Sequence, residues 1–112
     1  LFSTPTGSTA YSLSAGGPIL APKMECILMT PVCPHSLFSR SVLFSGESEL
    51  SVHVKIPEEC CCVLTIDGEK NVPVLATDRV VLRKSDLKLK LALLHNRNFY
   101  KLLNEKLKER DF

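Results

Sequence analysis

The chain has 112 residues, of which 45% are hydrophobic and 23% charged, and its net charge at pH 7 is +2. This composition is that of one ordinary globular domain and excludes a globally disordered chain. The small net charge argues against nucleic acid or an anionic membrane surface as the main partner. No apolar run approaches the roughly 18 residues that a membrane span needs.

The five cysteines are an odd number, and three of them are consecutive. This pattern fits neither a disulfide framework nor the spacing of zinc ligands. We therefore interpret them as reduced, mostly buried thiols of a cytoplasmic protein. They are Cys26, Cys33, Cys60, Cys61 and Cys62.

The chain begins with the apolar pair Leu1-Phe2, which predicts the end of a buried strand whose start lies upstream. We therefore expect the 112 residues to be one domain of a larger protein. A short helix is predicted over residues 8–13, with Thr6 or Ser8 as its N-cap and Gly16-Gly17 as its end.

Apolar runs and period-two alternation then predict a series of short strands. The clearest alternation lies in residues 49–56, and Asp67-Gly68 between two apolar runs is a strong hairpin signal. These elements predict a mainly β domain, an antiparallel β-sandwich, occupying residues 1–112 as a single unit. The predicted strands are 25–33, 41–44, 49–56, 62–66, 71–75, 78–85 and 87–94.

Only the end of the chain changes its period. In residues 98–110 the apolar side chains Phe99, Leu102, Leu103 and Leu107 recur at helical spacing. The sequence therefore predicts a C-terminal amphipathic helix.

The segment STPTGSTAYSLSAGGP, residues 3–18, is the richest in glycine and small hydroxyls. Gly7 allows close approach of a ligand to the backbone, and Tyr11 offers a flat face for an aromatic base. Ser8, Thr9 and free N–H groups at a helix start are suited to an anion. Composition alone favours a solvated loop over a binding site, because the segment lacks a P-loop lysine and is not G-x-G-x-x-G.

The order of residues in this segment carries a resemblance. Residues 3–19, STPTGSTAYSLSAGGPI, resemble the signature of the NAD kinases, which make NADP with ATP or polyphosphate as phosphate donor. TPVCPHSLFSR (30–40), TIDGE (65–69) and FYKLLNEKL (99–107) resemble later segments of the same family. The resemblance covers almost the whole chain as the C-terminal β-sandwich of a two-domain enzyme, whose C-terminal helix packs back on the other domain.

The resemblance implies NAD-binding residues in two places. Thr9, Ala10, Tyr11, Ser12, Leu13 and Ser14 would line the NAD site, with Tyr11 stacking on a ring of the dinucleotide, and Thr6 and Gly7 would bring the preceding turn to the ligand. Asp67 and Gly68 would lie at the edge of the site. Glu69 stands where the family often has Gln.

The resemblance also implies catalytic motifs that are absent from this sequence. The family's G-G-D-G motif, with its base for the ribose 2′-hydroxyl, and its Asn-Glu/Asp pair do not occur in the chain. The whole enzyme would use Mg²⁺ or another divalent metal and would assemble as a dimer or tetramer. We expect no catalytic or metal-ligating residue in this chain, and no kinase activity from the chain alone.

Two other functions remain open at this stage. One is a non-catalytic sandwich whose role is self-association, since unpaired strand edges favour it. The other is a lipid-kinase-like domain of the same architecture, against which the Thr-Ala-Tyr-Ser run argues.

Overall fold

The computed structural model describes residues 1–35, 37 and 39–109. Ser36 and Phe38, within the segment 30–40, and Arg110, at the end of the predicted helix, lie outside the described residues. The strands are β1 (Phe2–Ser3), β2 (Cys26–Met29), β3 (Val42–Ser45), β4 (Leu50–Val52), β5 (Cys62–Ile66), β6 (Lys70–Val74) and β7 (Val80–Leu82); the helices are a 3₁₀ turn (Thr6–Thr9), α1 (Tyr11–Ser14) and α2 (Phe99–Lys108).

The strands form antiparallel sheets. β1, β2 and β3 lie side by side in one sheet, β4 pairs with β7, and β5 pairs with β6. The predicted mainly β, antiparallel fold is confirmed, with a short helix near the N-terminus and a C-terminal helix. Leu1-Phe2 does lead into a strand, but Leu1 is exposed and Phe2 only half-buried.

The β5–β6 hairpin forms as predicted, because its turn is specified locally. Asp67 and Gly68 have φ of 51° and 73°, and the Glu69 N–H donates to the Ile66 carbonyl over 3.1 Å. Two consecutive residues with positive φ, closed by this hydrogen bond, make the tight turn that joins the two strands. The strands pair from Cys62 opposite Val74 to Ile66 opposite Lys70.

Residues 87–94 are not a strand, so this prediction is wrong. Their leucines are exposed, from 72% for Leu91 to 89% for Leu87, and the segment pairs with none of the described strands. Alternation of leucine and lysine is compatible with an edge strand that buries its leucine face. Such a strand forms only where a neighbouring strand pairs with it through backbone hydrogen bonds. In residues 49–56 the predicted alternation of burial is confirmed, although only Leu50–Val52 pairs.

The C-terminal helix is confirmed as α2. The Asn98 side chain accepts hydrogen bonds from the N–H groups of Tyr100, at 2.9 Å, and Lys101, at 3.4 Å, which caps the helix start. Leu102 and Leu103 are half-buried. Among the described residues, no helix has the length and apolar content needed to cross a membrane.

The buried apolar core is small, and its strand residues come from β2 and β6, which belong to different sheets. Its members are Leu20, Leu28 and Val74, with Leu28 fully buried. The accessible surface is 9919 Å², whereas a compact monomer of this mass exposes about 6,100 Å². Much apolar surface, including the leucines of residues 87–94, is therefore uncovered within the described part of the chain.

The cysteines are free thiols, as expected, but they are not mostly buried. Cys33, Cys60 and Cys61 are exposed, and Cys26 and Cys62 are half-buried. The prediction of burial fails because Cys33 lies in the loop after β2, while Cys60 and Cys61 lie in the turn before β5. In these loops few neighbouring side chains cover the thiols.

Candidate functional site

The signature segment, residues 3–19, folds into two short helical turns instead of one helix. The 3₁₀ turn ends at Thr9. The next residue, Ala10, has a φ of −95° and a ψ of −123°, which lie outside the helical region, and α1 begins at Tyr11. Neither turn has a side-chain cap. The prediction that Thr6 or Ser8 caps a helix over residues 8–13 is therefore wrong.

The first amides of this segment are already used within it. The Gly7 N–H donates to Thr4 Oγ1 over 3.1 Å, and the Ser8 N–H donates to the Pro5 carbonyl over 3.2 Å. These two N–H groups are therefore not free to meet an anion, contrary to the expectation from the sequence. Recognition of a ligand here falls to the outward-facing side chains.

Ser8 faces the interior and holds the first turn in place. Its side chain is fully buried, and its Oγ donates to the Pro5 carbonyl over 2.7 Å. The same oxygen accepts a hydrogen bond from the Leu20 N–H over 3.2 Å. Because both of its contacts are made within the protein, Ser8 fixes the start of the segment to its end at Leu20.

Ser12 is the corresponding inward residue of α1. Ser12 Oγ and Thr30 Oγ1 are 2.8 Å apart in a buried hydrogen bond, and each residue is 1% exposed. The Gly17 N–H donates to the Ser12 carbonyl over 2.8 Å. A Cβ on Gly17 would lie 2.4 Å from Ser12 Oγ and 2.8 Å from Thr30 Oγ1, so only glycine allows this close contact.

The opposite side of the segment faces solvent. Tyr11 is 61% exposed, and Ser14, Thr6 and Ala10 are also exposed. Residues three apart lie next to each other on a helical surface, so the Tyr11 ring and the Ser14 hydroxyl share the outward face of α1. With Ser8 and Ser12 directed inward, the segment exposes the Tyr11 ring and the Ser14 hydroxyl to solvent.

A third side of the segment faces α2. Thr9 and Leu13 line a groove of about 410 Å³ together with the apolar face of α2, at Phe99, Leu102 and Leu103. Lys106 and Glu109 also line it and pair with each other over 3.1 Å. Thr9 and Leu13 therefore face a different surface from Tyr11.

The signature segment carries no charged side chain. A ligand bound at its outward face would be recognised by hydroxyl groups and by the face of an aromatic ring. Such a face suits the ribose and base portions of a nucleotide better than it suits a bare phosphate.

The second group of predicted site residues, in the β5–β6 turn, forms no hydrogen bond with the first group, in the signature segment, among the described residues. Asp67, Gly68 and Glu69 form the exposed turn of the β5–β6 hairpin. Within the described residues, no hydrogen bond joins this turn to the signature segment, and the groove beside α2 has no lining residue from it. Among the described residues, the hairpin turn and the signature segment therefore share neither a hydrogen bond nor the groove beside α2.

Two residues were not singled out from the sequence: Thr30, which lies outside the signature segment, and Ser3, which is its first residue. Thr30 bonds Ser12 across 18 positions of the chain, and nothing in the local pattern signals this contact. The Ser3 Oγ is buried with no hydrogen-bond partner among the described groups. Ser3 and Thr30 lie on the first sheet or directly after one of its strands, and this sheet supports the signature segment.

The fold and this segment define a mainly β domain that presents an uncharged, hydroxyl-rich turn from a buried anchor. The family model of the ATP-NAD kinase C-terminal domain matches residues 1–94. The chain therefore belongs to the ATP-NAD kinase C-terminal domain family.

Similar proteins agree with this assignment. The chain is 42% identical over 109 residues to the NAD kinase of Carboxydothermus hydrogenoformans, covering 97% of this chain and 39% of that protein. It is 45% identical over 107 residues to NAD kinase 2 of Prochlorococcus marinus, covering 96% of this chain and 35% of that protein. The chain thus spans well under half the length of these relatives.

A solved structure shares the fold. The crystal structure of yeast NADH kinase complexed with NADH superposes with a TM-score of 0.72 and 28% sequence identity. The match covers 99% of this chain and 35% of that one.

Proposed function

We propose that this chain is the C-terminal, NAD-binding domain of a two-domain NAD kinase, which phosphorylates the adenosine ribose 2′-hydroxyl of NAD to give NADP. The observation that carries the proposal is the signature segment itself, whose turn exposes Tyr11 and Ser14 while Ser8 and Ser12 anchor it inside. The relatives named NAD kinase and the yeast enzyme complexed with NADH support it.

The proposed contacts follow the three sides of the segment. Tyr11 stacks on a ring of the dinucleotide, and Ser14 donates to or accepts from its hydroxyls, because both face solvent. Thr6 and Ala10 are exposed and Gly7 is half-buried, and the turn that they form is proposed to bring the chain close to the ligand. Ser12 contributes from beneath, since its own hydroxyl bonds Thr30.

Thr9 and Leu13 border the site on the side of α2. The hairpin turn of Asp67, Gly68 and Glu69 is proposed to lie at the edge of the NAD site in the assembled enzyme. We propose that self-association as a dimer or tetramer contributes to that assembly. The exposed leucines of residues 87–94 support a need for further protein surface around this chain.

The described residues do not fit a metal site. They contain no group of three His, Cys, Asp or Glu side chains that could hold a metal ion. Mg²⁺ or another divalent metal, and ATP or polyphosphate as the phosphate donor, are proposed for the whole enzyme without assignment to residues of this chain.

The chain by itself is proposed to be inactive. Phosphoryl transfer depends on positioning of both substrates and on stabilisation of charge. The signature segment supplies position and no charge, so the 112 residues alone should form no NADP from NAD and a donor. We propose that the enzyme is cytoplasmic, and its free cysteines support this.

The test uses two tyrosines of similar exposure in the whole protein that carries this chain. Tyr11 is 61% exposed and Tyr100, on α2, is 65% exposed. Tyr11→Ala should raise the KM for NAD roughly 5- to 150-fold, because loss of base stacking costs roughly 1–3 kcal/mol. Tyr11→Phe should retain most of the affinity, since it keeps the ring.

Tyr100→Ala is the matched control and should leave the KM for NAD unchanged. An unchanged KM in Tyr11→Ala would remove the stacking role. Absence of NADP formation by the wild-type protein with NAD, a divalent metal and either donor would refute the proposed activity. Sedimentation with and without NAD separates this function from a pure self-association module, which would assemble but not bind NAD.

A further inference from the structure

We propose that the Thr30 hydroxyl is a positioning group, which acts through Ser12 to hold the Tyr11–Ser14 turn in the orientation that binds NAD. The inference rests on the proposed function and adds a residue outside the signature segment. Thr30 follows β2 directly and is separated from Ser12 by 18 positions in the chain.

Thr30 is itself held firmly by the backbone. Its N–H donates to the Leu1 carbonyl over 2.8 Å, and its carbonyl accepts from the Leu1 amino group over 3.0 Å. Since the main chain is fixed on both sides, the side chain projects from a stationary point. Its Oγ1 meets Ser12 Oγ at 2.8 Å in a place that solvent does not reach.

The turn that carries Tyr11 needs an external support. α1 has four residues and no side-chain cap, and a single helical turn is unstable in isolation. Among the described residues, the contact of Ser12 with Thr30 is the side-chain hydrogen bond that ties α1 to the rest of the protein. Rotation of this turn would move Tyr11 and Ser14 together.

Gly17 closes the arrangement from the other side. Its N–H bonds the Ser12 carbonyl at 2.8 Å, while its missing side chain lets it pack against the Ser12–Thr30 bond. Ser12 is therefore held by its hydroxyl and by its carbonyl at once. The Thr30 hydroxyl can be removed from this arrangement without adding bulk.

Ser41 provides an internal comparison. Its Oγ donates to the same Thr30 oxygen, but over 3.4 Å and from a partly buried position. Loss of Ser41 leaves the 2.8 Å bond to Ser12 in place. Ser41→Ala therefore removes a contact of Thr30 without releasing the turn.

The experiment measures the kinetics of the whole protein with NAD at a temperature where circular dichroism shows each variant folded. Thr30→Val keeps the shape of the side chain and loses its hydroxyl, whereas Thr30→Ser keeps the hydroxyl. Thr30→Val should raise the KM for NAD about tenfold, as expected when a buried hydrogen bond is left unmade, with little change in kcat. Thr30→Ser should restore the KM, and Ser41→Ala should leave it unchanged.

A purely structural role predicts a different pattern: Thr30→Val would lower the unfolding temperature and leave the KM of the folded protein unchanged. That result, or failure of Thr30→Ser to restore the KM, would overturn the inference. If Thr30→Val does not fold, Ser12→Ala removes the same bond from the other side and should raise the KM equally.

The outcome also separates this inference from the function on which it rests. A raised KM in Tyr11→Ala with a normal KM in Thr30→Val would overturn the positioning role and keep the proposed function. Absence of NAD turnover by the wild-type protein would overturn both.

Discussion

Replacement of Gly17 by alanine tests the close packing beneath the signature segment. The added Cβ would lie 2.4 Å from Ser12 Oγ, 2.8 Å from Thr30 Oγ1 and 2.8 Å from the Ser12 carbonyl oxygen. One of these atoms belongs to the backbone, so rotation of side chains alone cannot relieve the contact. The turn must move, and the 2.8 Å bond between Ser12 and Thr30 must lengthen or break.

The expected cost follows from these contacts. Overpacking of a filled interior costs about 1–3 kcal/mol, and a buried hydroxyl left unpaired costs about 1–3 kcal/mol. Alanine also restricts the unfolded chain, which returns roughly 0.4–1 kcal/mol. Together these ranges predict that Gly17→Ala lowers the free energy of unfolding by about 1–6 kcal/mol, and the middle of that range is about 3 kcal/mol.

Urea unfolding followed by circular dichroism measures this change, and Gly7→Ala is the matched control. A Cβ on Gly7 would meet Thr4 Oγ1 at 3.4 Å and Ser3 Cβ at 3.6 Å, which are ordinary contacts. Gly7→Ala should therefore change the free energy of unfolding by less than about 1 kcal/mol. Equal stability of the two variants would refute the packing argument.

Two further predictions concern single polar contacts. Ser3→Ala should leave the free energy of unfolding unchanged or raise it by up to about 1 kcal/mol, because it removes a buried hydroxyl without a partner among the described groups. Ser8→Ala should lower the free energy of unfolding by about 1–3 kcal/mol, because it removes a buried hydroxyl with two hydrogen bonds. Urea unfolding that gave the reverse order would contradict this prediction. The 2.8 Å hydrogen bond and the charge of Lys84 lower the pKa of Glu25 from its ordinary value of 4.5. The Glu25 pKa, followed by carboxyl NMR, should therefore rise in Lys84→Ala but not in the control Lys101→Ala. The pKa of Glu25 is lowered in the folded state, so the Glu25–Lys84 pair stabilises the fold above pH 4.5 and stops doing so as the pH falls through the folded pKa. If the wild-type protein remained more stable than Lys84→Ala in strong acid, this assignment would be contradicted.

The sequence predicts those elements best whose determinants are local. The β5–β6 hairpin has its predicted place because Asp67 and Gly68 adopt the positive φ that the turn requires. α2 likewise follows from its apolar spacing, with Asn98 as a cap immediately before it. In both cases residues a few positions apart decide the outcome.

Residues 87–94 show where this reasoning ends. Their alternation describes which side chains would share a face, but pairing depends on a neighbouring strand that no local pattern supplies. The described part of the chain offers no such neighbour, and Leu87 and Leu89 remain exposed.

Part of the candidate site could likewise be predicted from the sequence, and part could not. The presence of a ligand-facing turn near Tyr11 follows from the order of residues in the signature segment. The division of its hydroxyls into inward and outward groups does not, because the break at Ala10 changes the direction of the second turn. The anchor of that turn, Thr30, is brought to Ser12 by the pairing of the first sheet, which is a long-range property.

Hydrogen–deuterium exchange of the whole protein, with and without saturating NAD, tests most directly whether the signature segment binds NAD. The account predicts slower exchange in peptides spanning residues 6–14, where Tyr11 and Ser14 face solvent in the free chain. Peptides spanning the β4–β7 pair, Leu50–Val52 and Val80–Leu82, should exchange at the same rate in both samples. Unchanged exchange over residues 6–14, with NAD bound and protection confined to other segments, would contradict the central claim.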